Sequence, residues 1–210
     1  MLTKAHNDFT FDAAAHAFWL AGKRIFSSTQ ILAMANLCDY SFLSADEREY
    51  SMARGTSVHW MTQLEDEGAL DYRRVPKAMR GYRKAWNLWK ERSGFTPLAI
   101  EKKFVSRYGF AGIIDRVGIF KMPRWSGTQV VVDIKTGAVA NHVAYQLVSY
   151  TMGAAEDDPN KASRIRRIAL RLSDDGTYKV REFPLVTWGA DWARFMSAVR
   201  EVSERGENAA

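Results

Sequence analysis

The sequence predicts an α/β fold, a mixed central β-sheet flanked by α-helices, on three observations. Runs of β-branched and aromatic residues, bounded by glycine and polar turns, recur through the second half of the chain. Segments of helical period with clear stops lie before, between and after them. Strands and helices are mixed in order, which suits one sheet with both faces at least partly covered. The length of 210 residues and the 47% apolar content suit one domain over 1–210 with a real core.

The elements follow in order. "FTFD" and "HAFWLAGKRIF" read as two short strands with a turn at Ala21-Gly22-Lys23, an elaboration of the domain over residues 1–27. "SSTQILAMANL" reads as a helix capped by Ser27 or Ser28. Residues 46–68 suit a longer helix, from Asp46 to a stop at Gly68. Residues 76–92 suit another, with Pro76 in its first turn and Gly94 just beyond its end. "LAIEKKFVSRYGFAGIIDRVGIF" then reads as two strands around a turn near Tyr108-Gly109, and "GTQVVVDIKTG" as a third. Residues 140–155 form a helix, and "RIRRIALRLSDDGTYKVREFP" a hairpin with Asp175-Gly176 at its tip. A helix over 188–205 closes the fold, and 205–210 is a polar tail.

Composition excludes several classes. The single cysteine, Cys38, rules out an internal disulfide, an all-cysteine zinc site and a four-cysteine iron–sulfur cluster within one chain. No 18-residue apolar run is present, so no membrane span is expected, and "MLTKAHNDFTFD" is too polar for a signal peptide. A cytoplasmic protein is the expectation. The net charge of +6 is moderate; where it lies matters more than its total.

The chemistry is concentrated in "VVVDIKTG", residues 130–137. Side chains alternate across a strand, so Val131, Asp133 and Lys135 share one face and Val130, Val132 and Ile134 the other. In the preceding strand Ala111, Ile113 and Asp115 share a face, and pairing of the two strands brings the aspartates together. Two close carboxylates repel unless a proton or a cation lies between them. Hard oxygen ligands favour Mg²⁺ or Mn²⁺. A metal so held can bind a phosphate oxygen and activate water, and an ammonium beside it can offset developing charge. Taken alone, an Asp and a Lys at a strand end also make a solvated ion pair; Asp115, a second acid in an equally apolar strand, favours the site.

"GIIDRVG" followed by "VVVDIKTG" resembles the PD-(D/E)XK nuclease superfamily, and most nearly its RecB-like exonuclease branch. Upstream "RGTSVHW" is similar to that branch's glycine–histidine helix motif, and downstream "YQLVSY" to its Q-x-x-x-Y motif. The opening, through "SSTQIL", resembles stand-alone nucleases of this branch carried by phages. The resemblance implies a restriction-endonuclease-like core. It implies that Asp115, Asp133, His59 and the Ile134 carbonyl hold Mg²⁺ or Mn²⁺, and that Lys135 is the catalytic lysine. Gln146 and Tyr150, four apart on one helix face, would position the substrate or the water. Glu101 would assist the metal directly or through water, although "EKKF" also reads as an exposed strand. Thr136 would contact phosphate, and Gly137 would allow an unusual turn.

Residues 72–92, "YRRVPKAMRGYRKAWNLWKER", supply Arg73, Arg74, Lys77, Arg80, Arg83 and Lys84 as a phosphate surface. The spacing of Tyr82, Trp86 and Trp89 fits a buried stripe. "KASRIRRIALR" offers a second, weaker basic patch. Nothing suggests base-edge readout, so sequence-nonspecific binding of single-stranded or duplex DNA ends is expected. The expected activity is metal-dependent exonucleolytic hydrolysis of DNA in recombination, repair or phage DNA processing, in a bacterial or phage-infected cell. A recombinase, a single-strand-binding protein or a helicase is the partner class; no "GxxxxGK[ST]" motif is present for unwinding. The alternatives are a structure-selective endonuclease, a non-catalytic DNA-binding module and a basic interaction protein.

Overall fold

A computed structural model describes residues 8–38, 44–121 and 127–207. Three short strands, β1 (Phe9–Asp12), β2 (Ala17–Leu20) and β3 (Lys23–Ile25), form an antiparallel sheet. The sequence reading gave two strands here; Ala21 and Gly22 both take positive φ and fold "HAFWLAGKRIF" back on itself, which makes the third. Helix α1 (Ser28–Met34) follows, with Ser27 and Gln30 in a reciprocal capping box.

Helix α2 (Ala45–Asp66) begins one residue before the expected Asp46, because Ser44 and Glu47 form a second capping box. The helix expected over 76–92 is broken. Residues Tyr72–Arg74 and Lys77–Met79 are 3₁₀ turns, and α3 proper is Arg80–Ser93. Pro76 leads the second 3₁₀ turn and not the long helix. Gly94, in the left-handed region, ends α3 as expected.

The main sheet has the order β4 (Phe95–Ser106), β5 (Phe110–Phe120), β6 (Gln129–Lys135), β7 (Arg166–Leu172), β8 (Tyr178–Phe183). Only β6–β7 is parallel, so the sheet is mixed. Between them run α4 (Val143–Ala154), three residues shorter at its start than expected, and the unpredicted single turn α5 (Pro159–Ala162). Helix α6 (Trp188–Glu207) closes the described chain two residues beyond the expected 205, and the rest of the tail lies outside the described residues. No described helix is long and apolar enough to cross a membrane.

Two apolar clusters cover the two faces of the sheet. One joins α1, α4 and α6 to Phe104, Phe110, Ile114 and Val131. The other joins α2 and α3 to Val130, Val132, Ile134, Ile168 and Leu170. Tyr82, Trp86 and Trp89 belong to the second, as their spacing predicts. Strand β6 is buried on both faces, each of its valines and Ile134 contributing about 1.5–3 kcal/mol by burial. Helix α4 lies unusually close to the sheet: a Cβ on Gly153 would meet the Phe104 ring at 2.4 Å, and one on Gly112 the same ring at 2.8 Å. That approach brings Gln146 and Tyr150 down onto the end of β6.

The basic patch expected at 161–171 is only partly at the surface: Lys161 and Arg164 are exposed, but the two arginines of the strand are not. Arg166 is 9% and Arg167 0% exposed, because β7 lies inside the sheet. Their guanidinium groups are held by Glu182 and by Asp191, each at 2.7 Å. Gly137 takes no positive φ and has no atom within 4 Å of a built Cβ, so the turn expected there needs no glycine.

Candidate active site

The site forms where β5 and β6 separate. Their ladder runs antiparallel to Arg116↔Val132 and goes no further. One step on, the Asp115 carboxylate accepts the Ile134 N–H at 2.6 Å in place of a ladder bond. This fixes one aspartate beside the strand that carries the other. Asp115 is 6% and Asp133 1% exposed, a costly burial unless each charge is matched.

Asp133 has its match within its own strand. Lys135, on the same face two residues later, donates to Asp133 Oδ1 at 2.9 Å and to Gln146 Oε1 at 3.2 Å. Gln146 Nε2 donates to Asp133 Oδ1 at 3.1 Å and to the Tyr150 hydroxyl at 2.7 Å. Asp133 Oδ2 is buried and accepts no well-formed hydrogen bond among the described residues, although Lys135 Nζ is also 2.9 Å from it. Burial pushes the Asp133 carboxyl up to about 6; Lys135 opposes the rise and Asp115 adds to it. Burial also lifts the Tyr150 phenol well above its usual value, with Asp115 and Asp133 adding to the rise, so it stays neutral.

On the other side stands His59, brought to the strand end by α2. Its Nε2 is 2.9 Å from the Ile134 carbonyl oxygen. That oxygen can only accept, so Nε2 carries the proton. Nδ1 then faces Asp115 Oδ2 at 3.5 Å and Glu101 Oε1 at 4.0 Å. A nitrogen lone pair facing two carboxylates requires positive charge between them, a proton or a cation. Ligand atoms of His59, Glu101 and Asp115 lie within 4.8 Å of one another. Burial pushes Glu101 up to about 7, with Asp115 adding to the rise and His59 and Arg116 opposing it. Three donors of this kind, with the buried Asp133 oxygen beyond them, fit a hard divalent cation. The Ile134 carbonyl, expected as a further ligand, is instead taken by the His59 Nε2–H, on the ring edge opposite Nδ1.

Glu101 is held by residues that sequence reasoning did not single out. It sits within β4 with φ of 47°, a strained conformation for a non-glycine residue. Arg116, fully buried, donates to Glu101 Oε1 at 3.1 Å, to the Asp115 carbonyl at 2.6 Å and to Thr62 Oγ1 at 3.1 Å. Its fourth partner is Asp66, at 2.7 Å. Asp66 lies in the last turn of α2, where the helix dipole disfavours an acid, and Arg116, Lys90 and Trp86 compensate it. The available signal was an arginine inside an apolar strand, which must find buried partners.

The remaining expected residues are scattered more widely. Thr136 Oγ1 is 3.4 Å from Arg54 Nε, so α2 reaches the loop after β6. Arg73, Arg74, Lys77 and Arg80 are exposed along the 3₁₀ turns and the start of α3, and Lys84 is exposed on α3. Arg83 is committed elsewhere: Glu65 holds it at 2.7 and 3.1 Å, and its guanidinium lies 4.0 Å from the centre of the Tyr72 ring. A cleft of about 500 Å³ opens over the site, bounded by His59, Trp60, Glu101, Asp115, Lys135 and Gln146.

A family model described as the PD-(D/E)XK nuclease superfamily matches residues 45–209. Among curated proteins, none matches the chain.

Proposed function

This chain belongs to the PD-(D/E)XK nuclease superfamily, which implies nucleolytic phosphodiester hydrolysis, and from that premise we propose a Mg²⁺- or Mn²⁺-dependent deoxyribonuclease acting on DNA ends. The observation that carries the reading is the joining of His59, Glu101 and Asp115 on one side of the β6 end to Asp133 and Lys135 on the other. The imidazole ligand position of His59 and the Gln146–Tyr150 pair favour the RecB-like branch, and with it exonucleolytic attack.

In this reading His59 Nδ1, Glu101 and Asp115 would hold the cation, with Asp133 Oδ2 as a further ligand, while the Ile134 carbonyl fixes the imidazole through its Nε2–H. The cation supplies Lewis-acid polarisation of the scissile phosphate and a lowered pKa for water. Asp133 and Gln146 hold the Lys135 ammonium at the strand end, where it orients the attacking water and offsets charge on the phosphorane. Gln146, itself braced by Tyr150, keeps Lys135 from collapsing entirely onto Asp133. Arg116 keeps the Glu101 carboxylate turned to the site. Exposed Arg73, Arg74, Lys77 and Arg80 bind phosphates without reading sequence. Recombination, repair or phage DNA processing is the setting, with unwinding supplied by a partner.

The test is cleavage of end-labelled linear single strands, linear duplexes and closed single-stranded circles in Mg²⁺ or Mn²⁺, with EDTA and Asp133→Ala as controls. Loss of linear substrates with circles spared is expected. Cut circles would identify an endonuclease, and no metal-dependent cutting of any substrate would reject the nuclease reading.

A further inference from the structure

Beside the catalytic cleft, α2 and the segment after it enclose a second cavity, a groove of about 420 Å³. Its walls are apolar: Trp60, Met61 and Leu64 from α2 face Leu70, Pro76 and Met79. Trp60 stands between the two cavities and lines both. It follows His59 directly, yet it is 64% exposed. So large an exposed aromatic at the edge of an active-site cleft returns little to the fold, and such surfaces mark binding sites.

The rim of the groove is cationic. Arg74 lines it, and Arg73 and Lys77 are exposed on the same short segment. The acid on that rim, Asp71, is engaged: it lies 3.5 Å from Arg74 Nε and accepts the Arg73 N–H at 3.0 Å. An apolar slot with an aromatic wall, a basic lip and continuity with the cleft matches the chemistry of a nucleotide, with the base inside and its phosphate at the lip. A base stacked in a duplex cannot enter such a slot; a base from an unpaired strand enters without unstacking cost.

We propose that this groove receives an unstacked nucleobase of the strand being cut, with Trp60 as its stacking partner, so that the substrate is single-stranded or frayed DNA. The proposal rests on the nuclease reading above. Its test is therefore a binding measurement in EDTA, which needs no cleavage.

Fluorescence anisotropy of a labelled single-stranded oligonucleotide is compared with a series in which one abasic site moves a nucleotide at a time. Trp60→Ala is expected to weaken binding of the intact strand about tenfold, and Trp60→Phe to restore most of it. One abasic position should produce a similar loss in the wild type and no further loss in Trp60→Ala. Binding of a blunt duplex should change less than about twofold. Unchanged strand binding by Trp60→Ala would overturn the proposal and leave the groove to a protein partner. Additive losses across the abasic series, or an equal loss on duplex, would also overturn it. The expected binding pattern without any Mg²⁺- or Mn²⁺-dependent cleavage would support the groove and reject the nuclease reading.

Discussion

The two halves of the candidate site handle buried negative charge differently. On the β6 side, Asp133 is matched by Lys135 two residues along the same strand, and both are braced by Gln146. On the β4–β5 side, Glu101 and Asp115 face Nδ1 of His59, and Arg116 is bound to Glu101 alone of the two carboxylates. The first half carries a cationic partner within its own strand, although burial still raises the Asp133 carboxyl. The second is short of positive charge where three donors converge. In the proposed reading, the difference means that the cation takes most of its ligands from α2, β4 and β5, while the ammonium belongs to β6, and the two meet at the β6 terminus.

The sharpest way to break this comparison is to remove one charge from each half. Asp115→Asn should abolish metal-dependent hydrolysis and also the stabilisation by Mn²⁺. At about 100 times Kd that stabilisation is worth about 2.7 kcal/mol, roughly 5–10 °C in Tm for a chain of this size, readable by differential scanning fluorimetry. Lys135→Ala should lower kcat by about 10²–10³ while leaving DNA affinity and the Mn²⁺ shift nearly unchanged. Equal losses of binding and of rate in Lys135→Ala would erase the distinction between the halves.

Next in size is the support behind Glu101. Arg116→Met leaves Asp66 buried without its closest guanidinium and frees Glu101, and chemical denaturation should show a loss of about 3–5 kcal/mol. Asp66→Asn should recover part of that loss in the double variant.

The pH response separates the halves further. In EDTA, the raised carboxyls stabilise the fold only while protonated. That contribution is full below about 3.8 for Asp133 and about 4.5 for Glu101, and is lost as pH rises through about 6 and about 7 respectively. Tm in EDTA should therefore fall from pH 5 to 8, whereas the Mn²⁺-induced rise in Tm should grow over the same range, since the cation needs both groups ionised. The smallest effect belongs to the surface: Arg73→Ala or Lys77→Ala should each reduce the slope of log affinity against log salt by about 1, and Arg83→Ala by less, because Glu65 already holds it.

The β6 half was legible because its logic is local. Alternation along one strand puts Asp133 and Lys135 on one side, and a four-residue helical step aligns Gln146 with Tyr150. The other half depends on long-range choices. Glu101 looks like an exposed strand charge until its positive φ and the Arg116 contact are seen, and Arg116 is fixed by Asp66, 50 residues upstream. The partly misread basic patch has the same origin: Arg166 and Arg167 are ordinary surface residues by composition, and only the interior position of β7 in the sheet buries them. The helix break at 76–79 followed from a choice between two uses of Pro76 that spacing alone does not decide.

The most direct test of the account is a calorimetric titration of Mn²⁺ into the protein at pH 7.5, without DNA. Saturable binding that is lost in Asp115→Asn and in Glu101→Gln but kept in Lys135→Ala is the predicted result. No saturable binding, or binding that survives Asp115→Asn, would contradict the assignment of the cation to the His59–Glu101–Asp115 side.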